Sequence, residues 1–343
     1  MAFDIYETAE LAGLIDLTLR PTSFITNYFF PRVQLSEKRE VAFDKIISPR
    51  RLAPFVSPLV EGRAVHTRGF QTNSFTPAYV KPKRALVPSD TISRMPGEAL
   101  MGSMSPAERR DLRIATDLAL SIQEIDNRIE WMCAQALIYG TVTIVGQDYP
   151  SQVVDFGRLP THQIALAGPN LWSAPASTPR NDLEAWAQIV AMDMGGTVTD
   201  IILGSAAWVA LCQNQDFATL YKNMQNMGGP LPTLLPGVLD NDMKTYRGQF
   251  GAFRLWTYNG FYTDDAGVQQ TYIDPKDVIL VAKQELNGIQ AYGAIMDVES
   301  LMPAKYFPKM WVQKDPSTVL TMVQSAPLMI PTNTASTFRA TVL

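Results

Sequence analysis

Apolar residues recur at positions 114, 118, 122, 125, 129, 132 and 136. Intervals of three and four residues put them on one face of a helix. Its start is marked by Ser105-Pro106-Ala107-Glu108, a capping box with proline at the first helical position, where a missing N–H costs nothing. Gly140 stands where such a helix stops. The spacing predicts one helix of about 35 residues and roughly 50 Å, a structural strut. A coiled coil is the weaker reading, because the stripe lasts only three heptads and the opposite face carries Arg109, Arg110 and Arg113.

Downstream the pattern alternates between strand and helix. Residues 141–145 and 152–155 read as a short hairpin around Gly146 and Pro150, and a Pro/Gly/Ser loop follows to about Arg180. Asn181 is placed to cap a helix bearing Leu183, Trp186, Ile189 and Val190, which ends at Gly195-Gly196. A buried strand at 199–203, a helix at 206–214 capped by Ser205, and a further helix from Asp216 to Asn226 come next. Residues 252–263 and 268–273 suggest a hairpin around Asp264-Asp265-Ala266-Gly267, and 278–283 another strand. This is α/β alternation with no internal repeat.

Upstream the chain looks less like a domain. A weakly amphipathic segment (Ala9, Leu11, Leu14, Leu17) breaks at Pro21, and the apolar cluster 24–30, stopped by Pro31, needs a hydrophobic surface to cover it. Val41, Ile46 and Ile47 suggest a strand, after which Pro49, Pro54 and Pro58 favour extended pieces. From Phe55 to Arg94 two extended limbs are expected. Glu61–Arg68 alternates with period two, and Phe75–Pro82 is rich in strand formers but limited to an edge by its prolines. A lone hairpin of this kind is marginal in water, so it should lie on another surface. The alternative is a long surface loop. Residues 62–89 carry Arg63, Arg68, Lys81, Lys83 and Arg84 and no acid, so these charges lack local partners.

Length and composition narrow the function. The chain has 343 residues, 46 % of them hydrophobic, which is ample for a core, and a net charge of -4 with two histidines, which argues against a sequence-specific nucleic-acid binder. Cys133 and Cys212 sit in apolar, helix-like settings with no metal-ligand spacing, and both are expected to be buried free thiols. No signal peptide or membrane span is evident, which points to synthesis in a reducing cytoplasm. No phosphate loop, dinucleotide fingerprint, zinc or nucleophile-elbow motif occurs. His66 and His162 are the only imidazoles, and Asp240/Asp242 and Asp264/Asp265 fall in turns that favour Asp for local hydrogen bonding. Asp193-Met194-Gly195-Gly196 reads as a helix stop rather than an anion nest. No cofactor is expected.

Several short blocks in order carry a resemblance: FVSPLVEG at 55–62, TRG at 67–69, FTPAYVKPK at 75–83, YFPKMW at 306–311 and LTMVQSAPLMI at 320–330. With the capped helix between them, the chain resembles the major capsid protein family of phage lambda and its relatives from about residue 20 onward. Phe70 and Ala78 depart from it, standing where lambda-like chains have glycine.

The resemblance implies an α+β protein of the Hong Kong 97-type phage coat fold. Residues 1–54 would be the N-terminal arm and 55–97 the extended loop. Residues 98–179 and 301–343 would form the peripheral domain with its long spine helix, and 180–300 the axial domain. It implies a structural protein, not an enzyme, that assembles as hexamers and pentamers into an icosahedral head around double-stranded DNA. Subunit-interface residues would be Arg63, His66, Arg68, Phe70, Phe75, Tyr79, Lys81, Lys83 and Arg84, the cations meeting acids such as Glu108, Asp111, Asp117 and Glu124 of a neighbouring spine helix. Partners would be further copies of itself, separate decoration, scaffold and portal proteins, and DNA without sequence specificity, but no membrane. The location would be the virion, after assembly in the host cytoplasm. The loop tip, taken as Gly69–Asn73, has no lysine, so no covalent welding of neighbours is expected. An encapsulin-like compartment shell and a soluble α+β enzyme with an unrecognised carboxylate or lysine site remain the alternatives.

Overall fold

The structure, a computed structural model, describes residues 23–47, 69–94, 104–146, 149–194, 196–215, 243–298 and 303–343, with positions 8, 10, 11, 52, 55, 61 and 217. Its spine is a helix over Pro106–Tyr139. The Ser105 hydroxyl accepts from the Glu108 amide at 3.3 Å, and the Glu108 carboxylate accepts from the Ser105 amide at 2.7 Å. The N-terminal half buries the stripe together with Asp117 and Ser121, whereas Trp131–Tyr139, which contains no charge, runs into the interior. Gly140 ends the helix with φ 67°. Arg158 closes it, donating to the Leu137 carbonyl at 3.3 Å, to the Ile138 carbonyl, and to Thr337 Oγ1 at 2.9 Å. Burial and the neighbouring Arg339 lower the Arg158 pKa to about 10.

The spine helix packs on the C-terminal strands Thr318–Gln324 and Pro327–Ile330. Thr318–Gln324 is the middle of an antiparallel sheet flanked by Phe307–Gln313 and Lys83–Leu86. Pro327–Ile330 lies antiparallel to Ile289–Tyr292, which pairs in parallel with Arg32–Leu35. A separate six-stranded sheet has the spatial order Gln163–Ala165, Thr337–Thr341, Asp277–Val281, Asp200–Leu203, Phe253–Tyr258, Lys244–Phe250. Its central strands are buried throughout, as strands covered on both faces must be. Helices Pro179–Met194 and Ser205–Gln213 cover one face. The other face reaches the spine helix through a short helix, Phe24–Phe29.

That short helix is the apolar cluster 24–30. Phe24, Ile25, Phe29 and Phe30 are fully buried, each contributing about 1.5–3 kcal/mol by leaving water. The spine helix and the 141–155 hairpin follow expectation, the latter as Thr141–Gly146 paired with Tyr149–Asp155.

Other expectations need correction. Residues 69–75 are not a tip but a strand, antiparallel to Val41–Ile47, so Gly69 pairs with Ile47 and Phe75 with Val41. The limb expected at 61–68 lies outside the described residues apart from Glu61. Phe75–Pro82 is not a limb of the ribbon, because Val80 bridges to Ser325 in the body of the protein. Helix Pro179–Met194 starts ahead of Asn181, and Ser205 is the first residue of its helix, with Gly204 at the cap. The helix expected from Asp216 to Asn226 lies outside the described residues, save Phe217. Residues 252–263 split at Asn259-Gly260 into Phe253–Tyr258, a member of the large sheet, and Phe261–Thr263, which pairs with Gln269–Thr271. Cys133 is buried, but Cys212 is exposed, because the helix Ser205–Gln213 turns that side away from the sheet.

Candidate subunit interface

The ribbon Val41–Ile47/Gly69–Phe75 brackets residues 48–68, the stretch holding Arg63, His66 and Arg68, which lie outside the described residues. Phe70 belongs to the ribbon, its backbone opposite Ile46. Phe75 is half-buried against the main core. From there the chain runs across the body. Tyr79 donates to the Ala294 carbonyl at 3.0 Å and accepts from the Met296 amide at 3.2 Å, which fixes the turn before Lys81.

The three cations that follow have different environments. Lys81 Nζ lies 4.6 Å over the Tyr79 ring, and Lys83 Nζ lies 5.2 Å over that of Trp311. Both lysines are exposed, and neither meets a carboxylate among the described residues. Arg84 instead pairs with Glu124 of its own spine helix and donates to Ser121 Oγ at 3.3 Å. Arg84 and Glu124, expected to face each other across a contact between subunits, thus pair within one chain.

Beside this segment lies a groove of about 590 Å³ between Val80 and Pro82, the spine residues Glu124, Arg128 and Trp131, and the hairpin residues Tyr262 and Asp265. Arg128 lies 5.4 Å over the Trp131 ring. Two aromatic residues and two carboxylates in an open groove suit an extended chain bearing small apolar and basic side chains.

Sequence reasoning missed the buried polar groups that hold the body together. Glu130, on the spine helix, is 2 % exposed. Its Oε1 accepts from the Ile25 amide at 2.8 Å and from Tyr258 Oη at 2.8 Å, and its Oε2 from the Thr26 amide at 2.9 Å and Thr26 Oγ1 at 2.6 Å. Burial pushes the Glu130 pKa up, and these hydrogen bonds pull against the rise. Asp200, fully buried in the large sheet, accepts from Thr199 Oγ1 at 2.7 Å, an Arg254 guanidinium N–H at 2.8 Å, Trp256 Nε1 at 3.0 Å and Tyr28 Oη at 3.1 Å. Asp277 pairs with Arg339 at 2.7 Å, and Arg339 stacks 4.7 Å over Tyr139 at the spine terminus. The expected loop histidine, His162, is likewise internal, its two ring nitrogens 2.9 Å from the Thr337 carbonyl and 2.8 Å from Asp193. The signal for Glu130 was the uncharged run immediately after it, which marks where the helix enters the interior.

A two-stranded ribbon, a long spine helix laid on a small sheet, and a separate mixed sheet define the class: this is the Hong Kong 97-type coat fold, α+β, whose members build shells. The chain belongs to the family of phage major capsid protein E, whose pattern matches residues 7–342. It is 28 % identical over 338 residues to the major capsid proteins of Escherichia phage lambda and Escherichia phage N15, covering 95 % of this chain and 96 % of each of theirs. The crystal structure of a capsid protein from a prophage of Escherichia coli CFT073 superposes with a TM-score of 0.76 at 22 % identity, covering all of both chains. The protein is thus a structural component of a phage head, self-assembling into the virion shell, and not an enzyme.

Proposed function

We propose that the chain assembles as hexamers and pentamers in which the ribbon of one subunit carries its residues 48–68 onto the spine-helix groove of the next. The supporting observation is that ribbon and groove are different surfaces of one chain. Complementary but non-identical surfaces make head-to-tail contacts, which close into rings. Arg63, His66 and Arg68 have the chemistry to meet Glu124 and Asp265 there, and Phe70 and Phe75 belong to the ribbon strand that follows them in sequence. Lys81 and Lys83, presented on ring faces, supply a second contact for carboxylates of an adjacent copy, with Tyr79 fixing their position. Each exposed ion pair is worth only ~0–1 kcal/mol, which suits a shell that must correct errors while it grows.

In this reading residues 1–54 and 55–97 supply arm and loop, with the ribbon's first strand contributed by the arm. Residues 98–179 and 301–343 are peripheral, and 180–300 axial. Decoration, scaffold and portal functions belong to separate proteins. A subunit with net charge -4 encloses DNA by confinement rather than by gripping a sequence. The chain has no lysine from Ile46 to Val80, so welding of neighbours through a lysine of that stretch has no nucleophile.

The test is K81E/K83E. Its thermal midpoint should match that of the unchanged chain, while shells seen by negative-stain microscopy give way to small oligomers. Normal heads from this variant would overturn the role of the lysines.

A further inference from the structure

The helix Phe24–Phe29 is gripped by three bodies at once. At its start, the amides of Ile25 and Thr26 donate to Glu130 of the spine helix. Along its length, Tyr28 donates to Asp200 of the large sheet, the Phe24 ring lies 5.5 Å from Trp256 and 5.6 Å from Tyr258, and Lys283 Nζ sits 3.3 Å over the Tyr28 ring. At its end, Gln290 Nε2 donates to the Phe30 carbonyl at 2.7 Å, and the helix rests on Gly288 so closely that a Cβ there would come within 2.3 Å of the Phe29 carbonyl oxygen. Spine helix, large sheet and small sheet therefore share one removable wedge.

We infer that this helix is a bolt that makes the subunit competent to assemble: seated, it fixes the angle between spine helix and large sheet, and released, it leaves a folded chain that does not build shells. Two features of the geometry support release as a unit. The wedge is only six residues long and joins the sheet system through the four-residue strand Arg32–Leu35, all of it exposed. A helix this short has little stability of its own and forms only while docked. At its N-terminal end the hold depends on one charged group, since each Glu130 oxygen already accepts two donors. A neutral side chain at that position leaves some of the four donors unpaired in a dry site.

This inference rests on the shell-building reading, and the experiment separates the two. The chain contains its own lock: Thr26 Oγ1 lies 3.3 Å from Cys133 Sγ, so T26C places two sulfurs within bonding reach after a small shift. Four variants in a C212S background are compared for amide hydrogen exchange at 23–30 and for shell formation by sedimentation: the parent, E130Q, G288A and E130Q/T26C. E130Q and G288A, which act at opposite ends of the wedge, should each raise exchange at 25–30 at least tenfold and slow shell formation by a similar factor. Oxidising E130Q/T26C with oxidised glutathione should slow exchange again and restore shells, and dithiothreitol should reverse both. Fast exchange with unimpaired assembly, unchanged exchange in both E130Q and G288A, or a sealed disulfide that fails to restore shells would each overturn the bolt. A parent chain that never assembles would instead count against the proposed capsomer assembly of the purified chain.

Discussion

The C-terminus of the spine helix allows two costs to be separated by substitution. Gly140 has φ 67°, and a Cβ built there would lie 2.6 Å from Cβ of Arg158. Gly168 has nearly the same backbone, φ 60°, with nothing within 4 Å of its Cβ. G168A should therefore cost only the left-handed strain, ~1 kcal/mol. G140A adds the displacement of a buried guanidinium that satisfies two helix-terminal carbonyls and Thr337, and losing even one such charged hydrogen bond costs ~1.5–3 kcal/mol. The expected total is about 2.5–4 kcal/mol. At an unfolding entropy of about 2.1 cal/mol/K per residue, each kcal/mol is worth ~1.4 °C in a chain of this length. Calorimetric scans of the dissociated chain at one heating rate should then show ~1–2 °C lost for G168A and ~4–6 °C for G140A. R158A supplies a check, because the extra cost of G140A should largely vanish when Arg158 is already absent. Equal losses for the two glycines, or additive losses for G140A and R158A, would refute the argument that Arg158 caps this helix.

Asp200→Ala should destabilise the chain by ~1–3 kcal/mol, since it removes the acceptor of Tyr28, Thr199 and Trp256 while Arg254, 41 % exposed, keeps contact with water, and a urea titration would read this as a lower midpoint. A double-mutant cycle on R84A and E124A should return a coupling of at most ~1 kcal/mol, because the Glu124 side chain is 55 % exposed; a larger value would mean that the pair is shielded. The Ser105 amide and hydroxyl hold the Glu108 carboxyl below its ordinary pKa. A depressed carboxylate stabilises above its unfolded pKa of about 4.3, and the gain is lost as pH falls through the folded value. Hydrogen exchange at the amides of 105–109 should thus accelerate below about pH 4.3 relative to the intrinsic rate, and E108Q should abolish that dependence.

The spine helix was legible in the sequence because its start, stripe and stop are all local: Ser105 and Glu108 are three residues apart, and Gly140 ends a run with constant spacing. The need of residues 24–30 for a hydrophobic surface was legible for the same reason, but the surface itself was not. Ile25 and Glu130 are 105 positions apart, and no local pattern connects them. The extended loop failed in an instructive way. Residue type and alternation identified strand-like pieces around 41–47, 61–68 and 75–82, yet such patterns report which face a residue occupies and say nothing of the strand it pairs with. Pairing nearest segments through Gly69 gave a local hairpin, whereas the observed ribbon joins 41–47 to 69–75, so that Gly69 sits within a strand opposite Ile47.

That shift changes the chemistry assigned to the loop. With the turn at Gly69, all five cations would flank one tip. With the observed pairing, Lys81 and Lys83 lie on the surface of the body and Arg84 is in an ion pair within the chain, while Arg63 and Arg68 lie outside the described residues. The described part of the acid-free run thus divides into two electrostatic roles, and only the lysines are open to another subunit. The same division accounts for Glu124, which the sequence offered as a neighbour's target and which the fold instead places opposite Arg84, at the lip of the groove. A carboxylate half-neutralised in this way still attracts a cation but no longer holds it strongly. Weak, repeated contacts of that kind are what a self-correcting shell requires.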